Sequence, residues 1–496
     1  MSVGGTDPFR ASRGCVGELL GWLEGADAAS LSHGELEEQI ERRGRELQRR
    51  MLQDHFDLRA VRETRVAVVA ADGVVYASVV AGHRRQLTTV VGTVTVERLA
   101  YRHRGAGNLH PADGALNLPA ERHSHGVRRL AAIESTRGSF EDATAAIERA
   151  TGITVGKRQV EELTAKAAVD VEDFYTTFAS EPGARGDVLV LSADGKGIVM
   201  RPDALRPATS KAAAAATTKL KTRLSKGEKR NRKRMAEVGA VYDLTPVPRR
   251  PDEIFATNDS PTPSPAPRAT AKWVTASVVD NTSQVIARVF DEATRRDPGH
   301  ERRWVALVDG NNHQIECIHA EADDRKVNVT IVVDLIHVIE YLWGAAWCFF
   351  PEGDPAAETW VRDRTLAILE GHAPDVAAGI RRRATTLQLS QRTRTKADEC
   401  ATYLTNKAAY LDYPTALAAG WPIATGVIEG ACRHLVADRM DITGARWSID
   451  GAEAILKLRA VHTNGDFDQY WNYHLNQERQ RTHATRYAHN IIPTAA

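Results

Sequence analysis

The sequence predicts a multidomain α+β protein, and three observations carry that reading. The chain has 496 residues, more than one hydrophobic core ordinarily serves, so several domains are expected. Its apolar period changes from helical to alternating and back along the chain, and from Asp187 strands alternate with helices. Hydrophobic content of 43% and charged content of 26% are those of an ordinary globular protein.

Residues 1–63 are expected to be helical. From Gly34 to about Leu58, Leu36, Ile40, Leu47 and Met51 recur at helical spacing among Glu and Arg. Such a long charged helix suits packing on another helix or on a second copy of the chain. Residues 64–125 read as a small β-rich region. "TRVAVVA", "VVYASVV", "QLTTVV" and "TVTVERLAY" are short strands separated at Asp72-Gly73, Gly82 and Gly92. A loop with His103, His110, His123 and His125 follows. Their spacing fits no standard zinc pattern and no Cys joins them, so solvated loop histidines are expected. Residues 126–180 read as three helices. The second has Ser139 as N-cap, Asp142 three residues on, and Gly152 as its stop. The third opens on Lys157 and Arg158. A helix, a short Gly-containing turn and a helix with a basic start form the outline of a helix-turn-helix, and equally of a plain helical hairpin.

Residues 181–337 have α/β composition. "VLVLSAD" is a strand, with Asp194 at its end and Gly195-Lys196-Gly197 as the turn. A basic insertion over 201–271 contains "KLKTRLSKGEKRNRKR", nine Lys or Arg against one Glu in sixteen residues. "AEVGAVYDL" within it is a further strand, and "NDSPTPSPAPRATA" an exposed loop. "KWVTASVV", "RWVALVD" and "VNVTIVVD" are strands, and "TSQVIARVFDEATRRD" is a helix. Residues 338–420 are expected to be helical throughout. Residues 421–496 then complete the core with the helix "GVIEGACRHLVADRM" and a C-terminal tail.

Net charge is +1, so charge as a whole selects no partner, whereas the basic run suits phosphate. Five scattered Cys form no C-x-x-C pair. That argues against a disulfide scaffold or a Cys-based zinc site, and for a reducing, cytoplasmic setting. The N-terminus "MSVGGTDPFRASRGCV" lacks the features of a signal peptide. The most apolar run, "IVVDLIHVIEYLWGAAWCFF", carries Asp334, His337 and Glu340, which are costly in lipid. It reads as a core strand leading into a helix, with no membrane partner.

Three predicted strands end on an acid: Asp194, Asp309 and Asp334. Carboxylates just past strand ends of one α/β sheet can converge on a crevice. Three suffice to hold two divalent ions roughly 3.5–4 Å apart, the arrangement of phosphodiester chemistry. Mg²⁺ or Mn²⁺ suits oxygen ligands of this kind. The candidates are Asp194, Asp309 and Glu429. Read singly, Asp194 and Asp309 are each part of an ordinary Asp-Gly turn, and Glu429 is a helical partner for Arg433. Asp334, His337 and Glu340 also read as a mononuclear metal site.

The segments "VLVLSADGKGIVMRPDALR", "RLSKGEKRNRKRMAEVGAVYD", "WVALVDGNNHQI", "VTIVVDLIHVIEYLW" and "GWPIATGVIEGACRHLVADRMDITGARW" add a further signal. Through them the chain resembles bacterial insertion-sequence transposases with a DDE catalytic triad, most closely the ISKra-type family, from near residue 35 to about 487. The resemblance implies an RNase H-like α/β catalytic core with an all-helical insertion between the second Asp and the Glu. It implies metal-dependent DNA strand cleavage and strand transfer. Asp194, Asp309 and Glu429 would be the catalytic ligands of two Mg²⁺ ions, with Asp334 and His337 as active-site support. The partners implied are double-stranded DNA of the element ends and target, in the nucleoid, and further copies of the chain. DNA contacts then fall on Lys157 and Arg158, on Lys219, Lys221, Arg223, Lys226, Lys229, Arg230, Arg232, Lys233 and Arg234, and on Arg433, Arg439 and Arg446. Where relatives carry a Cys pair near residue 103, this chain has "YRHRGAGNLH", so zinc is not expected. Two other readings compete: an RNase H-like nuclease or resolvase that cuts without joining, and a catalytically silent transposase-derived DNA-binding protein.

Overall fold

A computed structural model of the chain describes residues 7–178, 183–215, 232–255, 266–442 and 444–494. It is a mixed α+β fold in two compact units, Met1–Thr177 with Asp466–Ala496, and Phe178–Gly465.

In the first unit the long helix His33–Arg62 starts on a Ser32/Glu35 capping box. Of the four short strands expected between residues 64 and 101, the last three largely merge into one antiparallel hairpin, β1 (Ser78–Thr89) and β2 (Gly92–Arg102), while the first forms only isolated bridges, Val69 to Val75 and Ala70 to Tyr487. Gly82 does not end a strand. It sits at the register shift between Val80 and His83, where the extra residue is absorbed as a bulge. The histidine loop also differs from expectation. Leu109 bridges to Tyr101 and His123 to Thr88, which folds the segment back onto the hairpin. His110 Nε2 lies 2.9 Å from His83 Nδ1, and His125 Nε2 lies 2.8 Å from the Asn117 carbonyl. Burial lowers both pKa values to about 4. Only His103 of the four is exposed.

The three helices expected after residue 125 are present as His125–Arg137, Phe140–Thr151 and Lys157–Ala167. Ser139 and Asp142 form the capping box, and Gly152 closes the second helix in the left-handed region. Val127, Ala131, Ile147, Val160 and Leu163 form their shared core. The helix Phe467–Thr482, assigned by sequence to the catalytic core, belongs to this unit instead. Buried charge explains why. Asp170 accepts from His474 Nδ1 at 2.6 Å and from Arg481 at 2.6 and 2.8 Å. The fully buried Arg128 meets Glu121 at 2.7 Å and Glu478 at 3.2 Å. Such groups tolerate burial only when paired.

The second unit holds a mixed sheet of β3 (Val188–Val199), β4 (Lys233–Leu244), β5 (Ala269–Ser277), β6 (Trp304–Val308) and β7 (Val329–Val333), in the order β5-β4-β3-β6-β7. The pairs β3/β4 and β4/β5 are antiparallel, while β3/β6 and β6/β7 are parallel. The parallel connections run through the helices Thr282–Arg296 and Asn312–Arg325. β3 does not end at Asp194. It continues through Gly195-Lys196-Gly197, with pairing to β4 unbroken out to Val199 opposite Lys233. A Cβ on Gly195 would meet Met235 Cε at 2.9 Å, and one on Gly197 would meet Lys233 Cδ at 3.0 Å. The two glycines make room for the partner strand rather than a turn.

After β7 the chain is helical, as expected: Leu335–Ala346, Pro355–Leu369, Ala373–Thr386 and Gln391–Asn406. Leu342, Trp360, Ile368, Ile380, Cys400 and Leu404 share one core with Val190 and Leu307 of the sheet. The helix Gly426–Ala431 then runs into a π-helical segment, Cys432–Ala437. Helix Ile449–Asn464 lies along β5, where the Asn464 amide bonds both the N–H and the C=O of Val274 at 2.8 and 3.1 Å. This covers an otherwise open sheet edge. Among the described residues no helix is long and apolar enough to cross a membrane.

Candidate functional site

The parallel pairing of β3 and β6 brings the first two predicted acids to the same end of the sheet. Leu189 pairs with Trp304 and Ser192 with Leu307, an offset of 115 residues (304 − 189). Asp194 follows the last paired residue of β3 by two positions, and Asp309 follows that of β6 by two. Asp194 Oδ1 accepts from the Gly195 N–H at 2.6 Å, and Oδ2 accepts from the Cys432 thiol at 3.3 Å. Asp309 Oδ1 accepts from the Asn311 N–H at 2.8 Å, which closes its loop. The Asp309 carbonyl accepts from the Tyr403 hydroxyl at 2.9 Å. Gly310 stands at φ +88, and a Cβ there would meet Tyr403 Oη at 2.6 Å.

Glu429 is exposed on the helix Gly426–Ala431, which packs on β3 and β4. Asp334 prepares that helix. Its side chain is fully buried at the end of β7. Oδ1 caps the next helix through the Ile336 N–H at 2.7 Å, while Oδ2 accepts from the Thr425 N–H at 3.3 Å and from the Thr425 hydroxyl. The Thr425 carbonyl in turn accepts from the Glu429 N–H at 3.1 Å. His337 is half-buried, 3.4 Å from Glu340. Asp334 is thus committed to the backbone and Thr425, which does not suit the mononuclear reading with His337 and Glu340. Among the described residues no three His, Cys, Asp or Glu are grouped so as to hold a metal ion. That applies also to Asp194, Asp309 and Glu429, which lie on contacting elements without forming such a group.

Three neighbours of the acids were not anticipated. Glu237 faces Gly195 across the β3/β4 ladder. Burial, and then the charge of Asp194, raise its carboxyl above the usual range, while a hydrogen bond from Thr282 acts the other way. "AEVGAVYDL" placed Glu237 on a strand, but only the pairing shows what it faces. Cys432 is the second, buried against Asp194; burial and then the Asp194 charge push its thiol pKa up. The third is a cavity of about 350 Å³ beside Asp309, lined by Asn311, Asn312, Tyr341, Asn406 and Lys407. Lys407 donates to Asn312 Oδ1, and burial lowers its pKa against the pull of Asp309. Tyr341 stacks on Tyr403 with ring centroids 4.0 Å apart.

The residues expected to contact DNA fall into several groups. Lys157 and Arg158 open the helix Lys157–Ala167 of the first unit, with side chains 63% and 91% exposed. Lys219, Lys221, Arg223, Lys226, Lys229 and Arg230 lie outside the described residues. Arg232 immediately precedes β4, and its carbonyl accepts from the Met200 N–H at 3.0 Å. Lys233 and Arg234 are strand residues of β4 rather than part of a loop, and Arg234 Nε donates to the Val278 carbonyl at 2.6 Å. Arg433 and Arg446 are exposed. Arg439 is not: it is 2% accessible, with its guanidinium 4.7 Å from the Trp447 ring centre. Desolvated against an aromatic face, it is a packing cation rather than a DNA contact. In comparison with known proteins, the chain matches no family model and no curated protein.

Proposed function

We propose that the chain is a DDE-type transposase of the ISKra type, which cuts DNA at the ends of an insertion sequence and joins those ends to target DNA. One observation carries the reading. Asp194 on β3 and Asp309 just past β6 stand at the same end of neighbouring parallel strands, and the segment that continues the Glu429 helix reaches Asp194 through Cys432. The sheet order and the all-helical stretch between β7 and Glu429 support an RNase H-like core with an insertion at that point.

The donor set fits Mg²⁺ or Mn²⁺ by its chemistry, being carboxylate oxygen throughout. Glu237 adds a further acid whose raised carboxyl reflects burial and the nearby Asp194 charge. Two divalent ions held by Asp194, Asp309 and Glu429 would supply an activated water, then an activated 3′-hydroxyl, and charge compensation at the leaving oxygen. The remaining tasks belong to the chain. Gly195 and Cys432 orient Asp194, Asn311 and Tyr403 hold the Asp309 loop, and Asp334 with Thr425 sets the start of the Glu429 helix. Lys157 and Arg158, exposed at a helix start, suit the phosphates of double-stranded DNA. Pairing two element ends calls for more than one copy of the protein.

Strand transfer with pre-cut element ends and Mg²⁺ tests the proposal. The wild type joins ends to target. Asp194→Asn, Asp309→Asn and Glu429→Gln bind DNA but neither cut nor join. Near wild-type activity in any one removes that residue from the site. A wild type that cuts without joining is a nuclease, and one that only binds is a silent DNA-binding protein.

A further inference from the structure

Asp194 and Glu429 lie 235 residues apart (429 − 194), and a side-chain contact joins β3 to the segment that continues the Glu429 helix: the Cys432 thiol donates to Asp194 Oδ2 at 3.3 Å. We infer that Cys432 is a positioning residue, which sets the rotation of the Asp194 carboxylate and ties the Glu429 helix to β3. This rests on the proposed reading of Asp194 as a divalent-cation ligand.

Three features carry the inference. The first is the state of the Asp194 carboxylate. Its Oδ1 is held by the Gly195 N–H at 2.6 Å and its Oδ2 by Cys432. A donor on each oxygen stops rotation of the group while leaving each oxygen a lone pair for a cation. The second is helical spacing. Glu429 and Cys432 are three residues apart on continuous helical backbone, so a bond from Cys432 to β3 fixes the rotation of the turn that carries the exposed Glu429. The third is the backbone at that point. The helix passes from α to π geometry at Cys432, a widening that occurs mostly as local departures at functional sites.

The plain alternative is a small packing residue, the usual fate of a buried cysteine. Cys432 is indeed 6% exposed and packs in the interior. A packing residue, however, is replaceable by any side chain of its volume, whereas a positioning donor is replaceable only by another donor. Hydrogen bonds from outside the ligand shell typically change metal affinity by about 10- to 100-fold when removed. That difference makes the two roles separable.

The test uses the full-length protein without DNA and Mn²⁺ as the probe ion, with free Mn²⁺ followed by electron paramagnetic resonance and melting temperature measured alongside. Cys432→Val keeps the buried volume and removes the donor, and it should weaken Mn²⁺ binding by about 10- to 100-fold. Cys432→Ser keeps a donor and should bind close to wild type. Equal affinity in wild type, Cys432→Val and Cys432→Ser overturns the inference. So does a loss in both variants that simply follows a fall in melting temperature. Asp194→Asn separates the two levels of the argument. If it binds Mn²⁺ as the wild type does, the reading of Asp194 fails and takes the role of Cys432 with it. If it loses Mn²⁺ while Cys432→Val does not, only the role of Cys432 fails.

Discussion

Asp309 is held in place by a residue that has no side chain. Gly310 adopts φ +88, and a Cβ at that position would reach within 2.6 Å of the Tyr403 hydroxyl, which bonds the Asp309 carbonyl. Gly310→Ala should therefore destabilise the protein by about 1–3 kcal/mol and reduce strand transfer, read by thermal melting and by the joining assay. Adding Tyr403→Phe removes the colliding oxygen, so the double variant should melt above Gly310→Ala alone. A double variant no more stable than the single one would refute the steric account. Asp194 and Asp309 were visible as residues because acids after apolar runs stand out, and Glu429, on a helix, through the family resemblance. Glu237 and Cys432 were not, because nothing local distinguishes them from strand and core residues. Arg439 was misread for a related reason. A cation in a basic-looking helix reads as exposed until a tryptophan from seven or more residues on, here Trp447, is seen to cover it.

Element boundaries show where local rules give way. Capping boxes at Ser32, Ser139 and Asn281 start helices as their spacing requires. The Gly195-Lys196-Gly197 stretch behaves otherwise, since the ladder to β4 extends β3 through a run whose own preference is a turn. Propensity is a weak prior that pairing overrides. Asp334 shows an element end with two duties, capping the helix Leu335–Ala346 and holding Thr425 at the start of the Glu429 helix. Asp334→Ala should cost about 2 kcal/mol from the lost cap, and amide exchange should speed up over residues 425–431. Thr425→Val should reproduce the second effect and spare the first. Unchanged exchange in both variants would break the proposed link between β7 and the Glu429 helix.

At the scale of the whole molecule, the unit Met1–Thr177 with Asp466–Ala496 stores its titratable groups in a pH-sensitive form. Burial holds the folded pKa of His110 and of His125 near 4, below the ordinary 6.5 or so. The unfolded chain then takes up these protons first. Stability is full above about pH 6.5 and falls as pH drops toward 4, by up to about 3 kcal/mol per histidine. For Asp170, burial alone would raise the carboxyl, but hydrogen bonds from His474 and Arg481 outweigh it and hold the pKa at about 2. Its contribution of about 2 kcal/mol is present above about pH 4 and is lost as pH falls toward 2. Circular dichroism melts should show the first decline between pH 6.5 and 4, flattened in His110→Gln. A melting temperature unchanged from pH 7 to 4.5 would contradict the burial of these rings. By itself, the sequence determined the order and type of most elements, the helical stretch after β7, and the acids worth pairing. Apolar period, caps and breakers act within a few residues and can be read there. Only the tertiary structure decided that Asp309 stands at the same strand ends as Asp194, that Cys432 joins the Glu429 helix to β3, and that the C-terminal helix leaves the unit of the five-stranded sheet for the buried Asp170. Those outcomes depend on strand register and on charge pairing over hundreds of residues, which no local window contains.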